Sequence, residues 1–138
     1  METPSDALRI FESMMSQDHF SQWLGVQCRD ISPGYCVLEM TVRQEMLNGF
    51  GIAHGAITYA LADSALAFAS NSQGRHAVSV ETSIAHLKPV KAGAILRAVA
   101  HELHLGQKVA HYQIDVLLGE EKVAFFKGTV YRSSRIWD

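Results

Sequence analysis

Asn48-Gly-Phe-Gly-Ile-Ala-His54-Gly55-Ala56-Ile-Thr-Tyr-Ala-Leu-Ala-Asp63-Ser-Ala-Leu-Ala-Phe-Ala-Ser-Asn71 is the stretch on which the fold turns. Its glycine-rich first half predicts a loop. From about Gly55 it is rich in Ala and Leu, lacks Pro, and predicts a helix. Ile57, Tyr59, Leu61, Ala65, Leu66 and Phe68 leave that helix no continuous polar face, so it is buried in a core or in a membrane. It is shorter than the ~20 residues a bilayer needs and carries Asp63 in its middle, which predicts the central buried helix of a soluble domain. A carboxylate there costs several kcal/mol unless it is paired, hydrogen-bonded or open to a wet cleft. Taken alone, Asp63 fits a structural carboxylate equally well. His54-Gly55 at the helix start adds free backbone N–H groups that favour developing negative charge. Together they supply an oxyanion donor and a base or nucleophile, two parts that acyl transfer needs.

Upstream of this stretch, residues from about Ser5 to Met15 place Leu8, Phe11, Met14 and Met15 at helical spacing, with Ser5 or Asp6 as cap. Asp18 to Leu24 predicts another turn or two, stopped by Gly25. Val26 to Ile31 predicts a strand and Ser32-Pro33-Gly34 a turn. Tyr35 to Arg43 alternates, with Cys36, Leu38, Met40 and Val42 on one face. Downstream, Asn71-Ser-Gln-Gly74 ends the helix, and Ala77 to Leu87 predicts a strand. Lys88-Pro89-Val90-Lys91-Ala92-Gly93 breaks the pattern. Ile95 to Leu105, Lys108 to Leu118 and Lys122 to Arg132 predict three further strands, joined at Gly106-Gln107 and Gly119-Glu120-Glu121 by hairpins. Ser133 to Asp138 carries no signal. Consecutive strands and one buried helix predict a single α+β domain over residues 1–138, its antiparallel sheet curled round the helix.

The chain has 138 residues, 48% hydrophobic and 19% charged, with a net charge of -2, so nothing favours nucleic acid or an anionic membrane surface. Met1 to Asp6 lacks a basic and apolar leader pattern. Cys28 and Cys36 lack C-x-x-C spacing and read as core residues in a reducing compartment. The expectation is a cytoplasmic protein. His101 and His104, three positions apart on a strand, are expected to face opposite sides and not to share a metal. His19, His76, His86 and His111 are scattered and carry no assigned role. No nucleotide loop or nucleophile elbow is present.

The motifs Met46-Leu47-Asn48-Gly49, His54-Gly55 and Leu61-Ala62-Asp63-Ser64-Ala65, running on to Ser70-Asn71-Ser72-Gln73-Gly74, resemble the PaaI-like hotdog-fold thioesterases, which hydrolyse acyl-coenzyme A. The resemblance continues through Leu87-Lys88-Pro89 and Gly93 to Phe126-Lys127-Gly128, and covers about Leu24 to Arg132. Met-Leu-Asn-Gly and Ser-Asn-Ser-Gln-Gly resemble the phenylacetate-degradation branch, whose substrates are phenylacetyl-CoA and its ring-hydroxylated relatives. Two positions depart from the pattern: Ala56 stands where a second Gly is usual, and Ala94 where Asp often follows Gly93. Ala56 narrows the space beside the acyl group.

Gly55 and Asp63 are eight positions apart on one helix, roughly 12 Å along its axis at ~1.5 Å per residue. One thioester carbonyl cannot meet both within one chain at ~3 Å. A symmetric dimer whose helices exchange ends brings them together. The resemblance implies the same arrangement, often as a homotetramer. It implies that the Gly55 N–H polarises the carbonyl, that Asp63 of the partner subunit acts as base or nucleophile, and that His54, Asn48 and Ser79 orient carbonyl, water or loop. Lys88, Lys91, Arg75 and Lys127 are candidates for the coenzyme A phosphates, each equally consistent with a solvated surface cation. Phe50, Met46 and Leu47 are candidates for the acyl pocket or ordinary core. No cofactor beyond the substrate's own coenzyme A is expected. The alternatives are a hotdog enoyl-CoA hydratase or dehydratase, and a non-catalytic acyl-CoA-binding protein.

Overall fold

The computed structural model describes residues 4–138, with side chains from Asp6 onward; the expectations for Met1 to Thr3 and for Ser5 as a cap lie outside them. Two helices open the chain, α1 (Pro4–Met15) and α2 (His19–Leu24), followed by strands β1 (Gln27–Ser32) and β2 (Tyr35–Thr41). A 3₁₀ turn at Gln44–Met46 leads into α3 (Gly55–Asn71), and the rest is β3 (Arg75–His86), β4 (Ile95–Leu105), β5 (Val109–Leu118) and β6 (Glu121–Ile136). The strands form one six-stranded antiparallel sheet in the order β1-β2-β4-β5-β6-β3. The sheet wraps α3, as the resemblance implies.

The β2 alternation holds: Cys36, Leu38, Met40 and Val42 all point into the core. They meet Leu61, Ala65, Leu66 and Phe68 of α3, together with Leu96, Ile114, Phe126 and Val130 from the facing strands. α2 begins at Asp18, whose Oδ1 accepts the Ser21 N–H at 2.9 Å, and stops at Gly25, which takes φ 78°. In α1 the buried stripe is Ala7, Ile10, Phe11 and Met14 rather than one containing Leu8, which is 46% exposed. The phase is set by Phe11, whose ring meets Phe68 edge-on at 4.7 Å. The terminal stretch also has a role that its sequence did not signal. β6 runs on to Ile136, Trp137 stacks on His76 at 3.9 Å, and its Nε1–H donates to Asn71 Oδ1 at 2.9 Å. Asn71 in turn accepts the Ala77 N–H and donates to the Ala77 carbonyl, both at 3.0 Å, which fixes the end of α3 to β3.

The helix can lie this close to the sheet because residue 128 has no side chain. A Cβ on Gly128 would stand 2.6 Å from Leu66 Cδ2, in a core where Leu66 is 1% exposed and has nowhere to move. No helix among the described residues is long and apolar enough to cross a membrane. Gly128→Ala is therefore expected to cost about 1–3 kcal/mol by overpacking, read as a lower urea midpoint. Most of that cost should vanish when Gly128→Ala is made in a Leu66→Ala background, where the obstructing methyls are gone. Simple additivity would show that strand backbone, and not helix contact, demands the glycine.

Candidate active site

The start of α3 is pinned from three sides. The His54 N–H donates to the Met46 carbonyl at 2.9 Å, and the Ala53 N–H donates to the Val90 carbonyl at 2.7 Å. Asn48 Oδ1 accepts the N–H groups of Phe50 and Ile52, at 2.9 and 3.4 Å, which closes the loop before the helix. His54 is the N-cap, its Nδ1 accepting the Ala56 N–H at 3.0 Å. The Gly55 N–H, in the first turn, has no acceptor among the described residues. It borders a cavity of about 380 Å³ whose wall includes Asn48, Ile52, Gly55, Thr58, His86 and Lys88.

Asp63 lies two turns further on and opens into a different cavity, about 410 Å³, beside Ala67, His76, Val78, Ser79 and Trp137. It belongs to the side of α3 that the sheet leaves partly open, with Ala56, Tyr59, Ala60 and Ala67. Among the described residues nothing donates a hydrogen bond to its carboxylate. Burial pushes the Asp63 carboxyl above the usual carboxylate range, and the Asp18 carboxylate adds to the rise. Asp18 is held close by a short chain of hydroxyls. Ser21 Oγ–H donates to Asp18 Oδ2 at 2.7 Å, and Ser64 Oγ lies 2.8 Å from Ser21 Oγ. One helix thus carries an unused N–H donor and an undercompensated carboxylate, each facing its own cavity.

This layout meets its relatives in sequence. Residues 50–125 match the family model for the thioesterase superfamily. The chain belongs to the thioesterase superfamily. It is 37% identical over 121 residues to the acyl-coenzyme A thioesterase PaaI of Escherichia coli, covering 87% of this chain and 86% of that protein. The solved structure of E. coli PaaI, from the phenylacetic acid degradation operon, superposes with a TM-score of 0.94 over 97% of this chain and 98% of its own, at 33% identity. The phenylacetic acid degradation protein PaaI of Thermus thermophilus gives a TM-score of 0.82 at 40% identity, over 84% of this chain and 100% of that one. A Streptococcus mutans protein solved with acetyl CoA gives 0.79 at 25% identity, over 81% of this chain and 91% of its own.

Within this chain the residues singled out in the sequence fall into separate groups. Gly55, Asn48 and Lys88 share the cavity at the helix start, while Asp63 and Ser79 share the second one. His54 turns into a shallower hollow with Glu45, Met46 and Ile57. Phe50 is 90% exposed and lines neither cavity. Met46 is core, 1% exposed. Lys88 pairs with Glu121 at 2.9 Å, and Lys91 is exposed on the loop that follows. Arg75 donates to the Gln107 carbonyl at the opposite end of β3, and Lys127 lies on the outer sheet face beside Ser83 and His111. Neither joins Lys88.

Two histidine expectations need correction. A bulge between Glu102 and His104 restores the parity that alternation lost, since His101 pairs with Gln113 and His104 with His111. The two imidazoles therefore share the outer face, His101 against Tyr35 and His104 against His111. Among the described residues no three His, Cys, Asp or Glu are grouped to hold a metal ion. His86, left without a role in the sequence, stands against Gly55. Its Nε2 lies 3.3 Å from where a Gly55 Cβ would be. Nothing in the sequence signals this, because β3 ends beside the helix start only in the folded chain.

The raised carboxyl of Asp63 ties stability to pH. Folded chains hold its proton more tightly than unfolded ones, so ionised Asp63 subtracts stability as pH rises from the ordinary value near ~4 through the raised one, and the loss persists above it. At concentrations low enough to keep the chain as single copies, Asp63→Asn is expected to raise the urea midpoint at about pH 7 and to leave it unchanged near pH 3.5. Equal midpoints at both pH values would show that burial does not strain this carboxylate.

Proposed function

We propose that this chain hydrolyses aryl-acetyl thioesters of coenzyme A, phenylacetyl-CoA and its ring-hydroxylated relatives, in sites shared by two copies of itself. It is an acyl-CoA thioesterase of the hotdog type; the acyl group and the residue roles are what we infer. The observation that carries the inference is the division of one helix into two half-sites, with the Gly55 N–H in one cavity and Asp63 in the other.

β3 supplies the means to join them. It is one of the sheet's two edges, with Val78 63% and Val80 62% exposed beside exposed Ser79 and Glu81. A sheet edge with unpaired backbone groups is a template for a second strand. Pairing β3 with its own copy about a twofold axis lays the two α3 helices side by side and antiparallel, so that Asp63 of each faces the N-terminus of the other. The thioester carbonyl then accepts a hydrogen bond from Gly55. Asp63 of the partner subunit takes a proton from the attacking water. The oxyanion collapses, the carbon–sulfur bond breaks, and that proton passes to the coenzyme A thiolate, leaving free acid and CoA. His54, whose Nδ1 accepts the Ala56 N–H, caps the helix start and orients the loop before it. Asn48 holds the loop, and Ser79 holds water beside Asp63. Lys88 and Lys91 stand on the strand exit next to the Gly55 cavity and meet the phosphates. The acyl group is assigned by similarity to the PaaI proteins.

A mixing experiment separates shared sites from sites within one chain. Gly55→Pro removes the N–H while suiting the first helical position, and His54 at φ -59° and ψ 140° already has the backbone that precedes proline; the new Cβ would also meet His86 Nε2 at 3.3 Å, a contact confined to the subunit that carries the variant. Gly55→Pro and Asp63→Asn alone are each expected to lose at least ~10²-fold in kcat with phenylacetyl-CoA. Unfolded and refolded together, they should recover about a quarter of wild-type activity, because half the dimers are mixed and each mixed dimer holds one intact site. No recovery would place both groups in one chain. Enoyl-CoA hydration without thiol release would favour the hydratase alternative.

A further inference from the structure

We propose that the imidazole of His86 gives the second hydrogen bond to the thioester carbonyl oxygen, beside the Gly55 N–H. The inference rests on the thioesterase reading above and adds a catalytic residue to it.

His86 is the last residue of β3, paired with Ala124 of β6. Directly after it the chain turns, and the N–H groups of Leu87 and Lys88 both donate to the Val123 carbonyl, at 2.8 and 3.2 Å. The backbone that carries the imidazole is therefore tied to the sheet on both sides. The ring reaches across to the first turn of α3. Its Nδ1 lies 3.3 Å from Thr58 Oγ1, and Thr58 is buried one turn below Gly55. Its Nε2 lies 3.3 Å from the point where a Cβ on Gly55 would stand. That point is two bonds from the Gly55 nitrogen, and Cβ bonds lean toward the helix N-terminus. Nε2 and the Gly55 N–H therefore stand over the same small volume of the cavity. A side chain at position 55 would press on Nε2, which gives the glycine a second reason to be there.

Thr58 sets the direction of the proton. When its hydroxyl donates to Nδ1, the neutral ring carries its own proton on Nε2, aimed at the cavity. The Gly55 carbonyl, 3.2 Å from Thr58 Oγ1, is the competing acceptor, and if it wins the ring has the opposite tautomer. The proposal requires the first arrangement. Two donors on one oxygen are what a developing oxyanion needs, and a lone amide N–H is a thin oxyanion hole.

The test uses the full chain with phenylacetyl-CoA and a panel of other acyl-CoAs. His86→Phe keeps a ring of similar size without a donor and is expected to lower kcat by about 10–10²-fold with KM changed less than about threefold, the low end for an oxyanion donor because this one stays open to solvent. His86→Gln, whose amide reaches the position of Nε2, is expected to recover kcat to within about fivefold of wild type. Imidazole ¹⁵N shifts of the wild-type protein are expected to show the Nε2–H tautomer at His86, and this measurement needs no variant to fold. A His86→Phe kcat within about twofold of wild type, a His86→Gln variant as slow as His86→Phe, or the Nδ1–H tautomer would each overturn the proposal while wild-type turnover keeps the thioesterase reading intact. A wild type that releases thiol from no acyl-CoA would overturn both.

Discussion

α3 buries side chains on nearly every side, so it survives only inside a sheet that curls round it, and the rest of the chain is arranged to make that closure possible. At Gly128 any side chain would strike Leu66. The ends are secured by polar contacts. Val90 and Met46 carbonyls hold the entry, while Asn71, anchored to Ala77 and Trp137, holds the exit. Between those ends the helix has little freedom to slide or rotate. Groups on it are therefore presented at fixed places, which a reaction at a single carbonyl requires.

The closure is incomplete along one line. Ala56, Ala60, Asp63 and Ala67 remain partly open, and this stripe adjoins the free edge of β3. Three alanines and one carboxylate, with Tyr59 beside them, line the side that another helix could approach. The carboxylate is held with an undonated, half-buried charge near a second one, Asp18. A protomer does not gain by keeping two like charges there. In the proposed reading this cost goes with the base role of Asp63.

How much of this was legible in the sequence depends on the range of the signal. The helix, the β2 alternation, the Gly25 stop and the two hairpins are local, set by periodicity and turn chemistry, and they appear where expected. The phase of α1 depended on one long-range contact, Phe11 on Phe68, which periodicity could not supply; Leu8 was counted on the wrong face for that reason. The bulge at Glu102–His104 overturned strict alternation with a single extra residue. The placement of β3 beside β6 rather than beside β4 is a matter of topology, and with it went the position of His86 and the separation of Arg75 and Lys127 from Lys88. Motif spacing named Asp63, Gly55 and Asn48, and the eight-residue interval already kept Gly55 and Asp63 from meeting one carbonyl in one chain; in the fold Asp63 opens into a different cavity from the other two.

That division has an electrostatic logic in the proposed dimer. The positive end of a helix acts within about its first turn, so the N-terminus of α3 does little for its own Asp63, eight residues along. In an antiparallel pair, each Asp63 instead faces the start of the partner helix. Burial raises its pKa in the lone protomer; a neighbouring helix N-terminus favours the charged form and works against that rise. The charge that costs the single chain stability becomes compensated when a partner arrives, and the same contact assembles base and oxyanion donor around one carbonyl. Assembly and activity then draw on one interaction. A protomer alone would hold every group the reaction needs and still have no complete site.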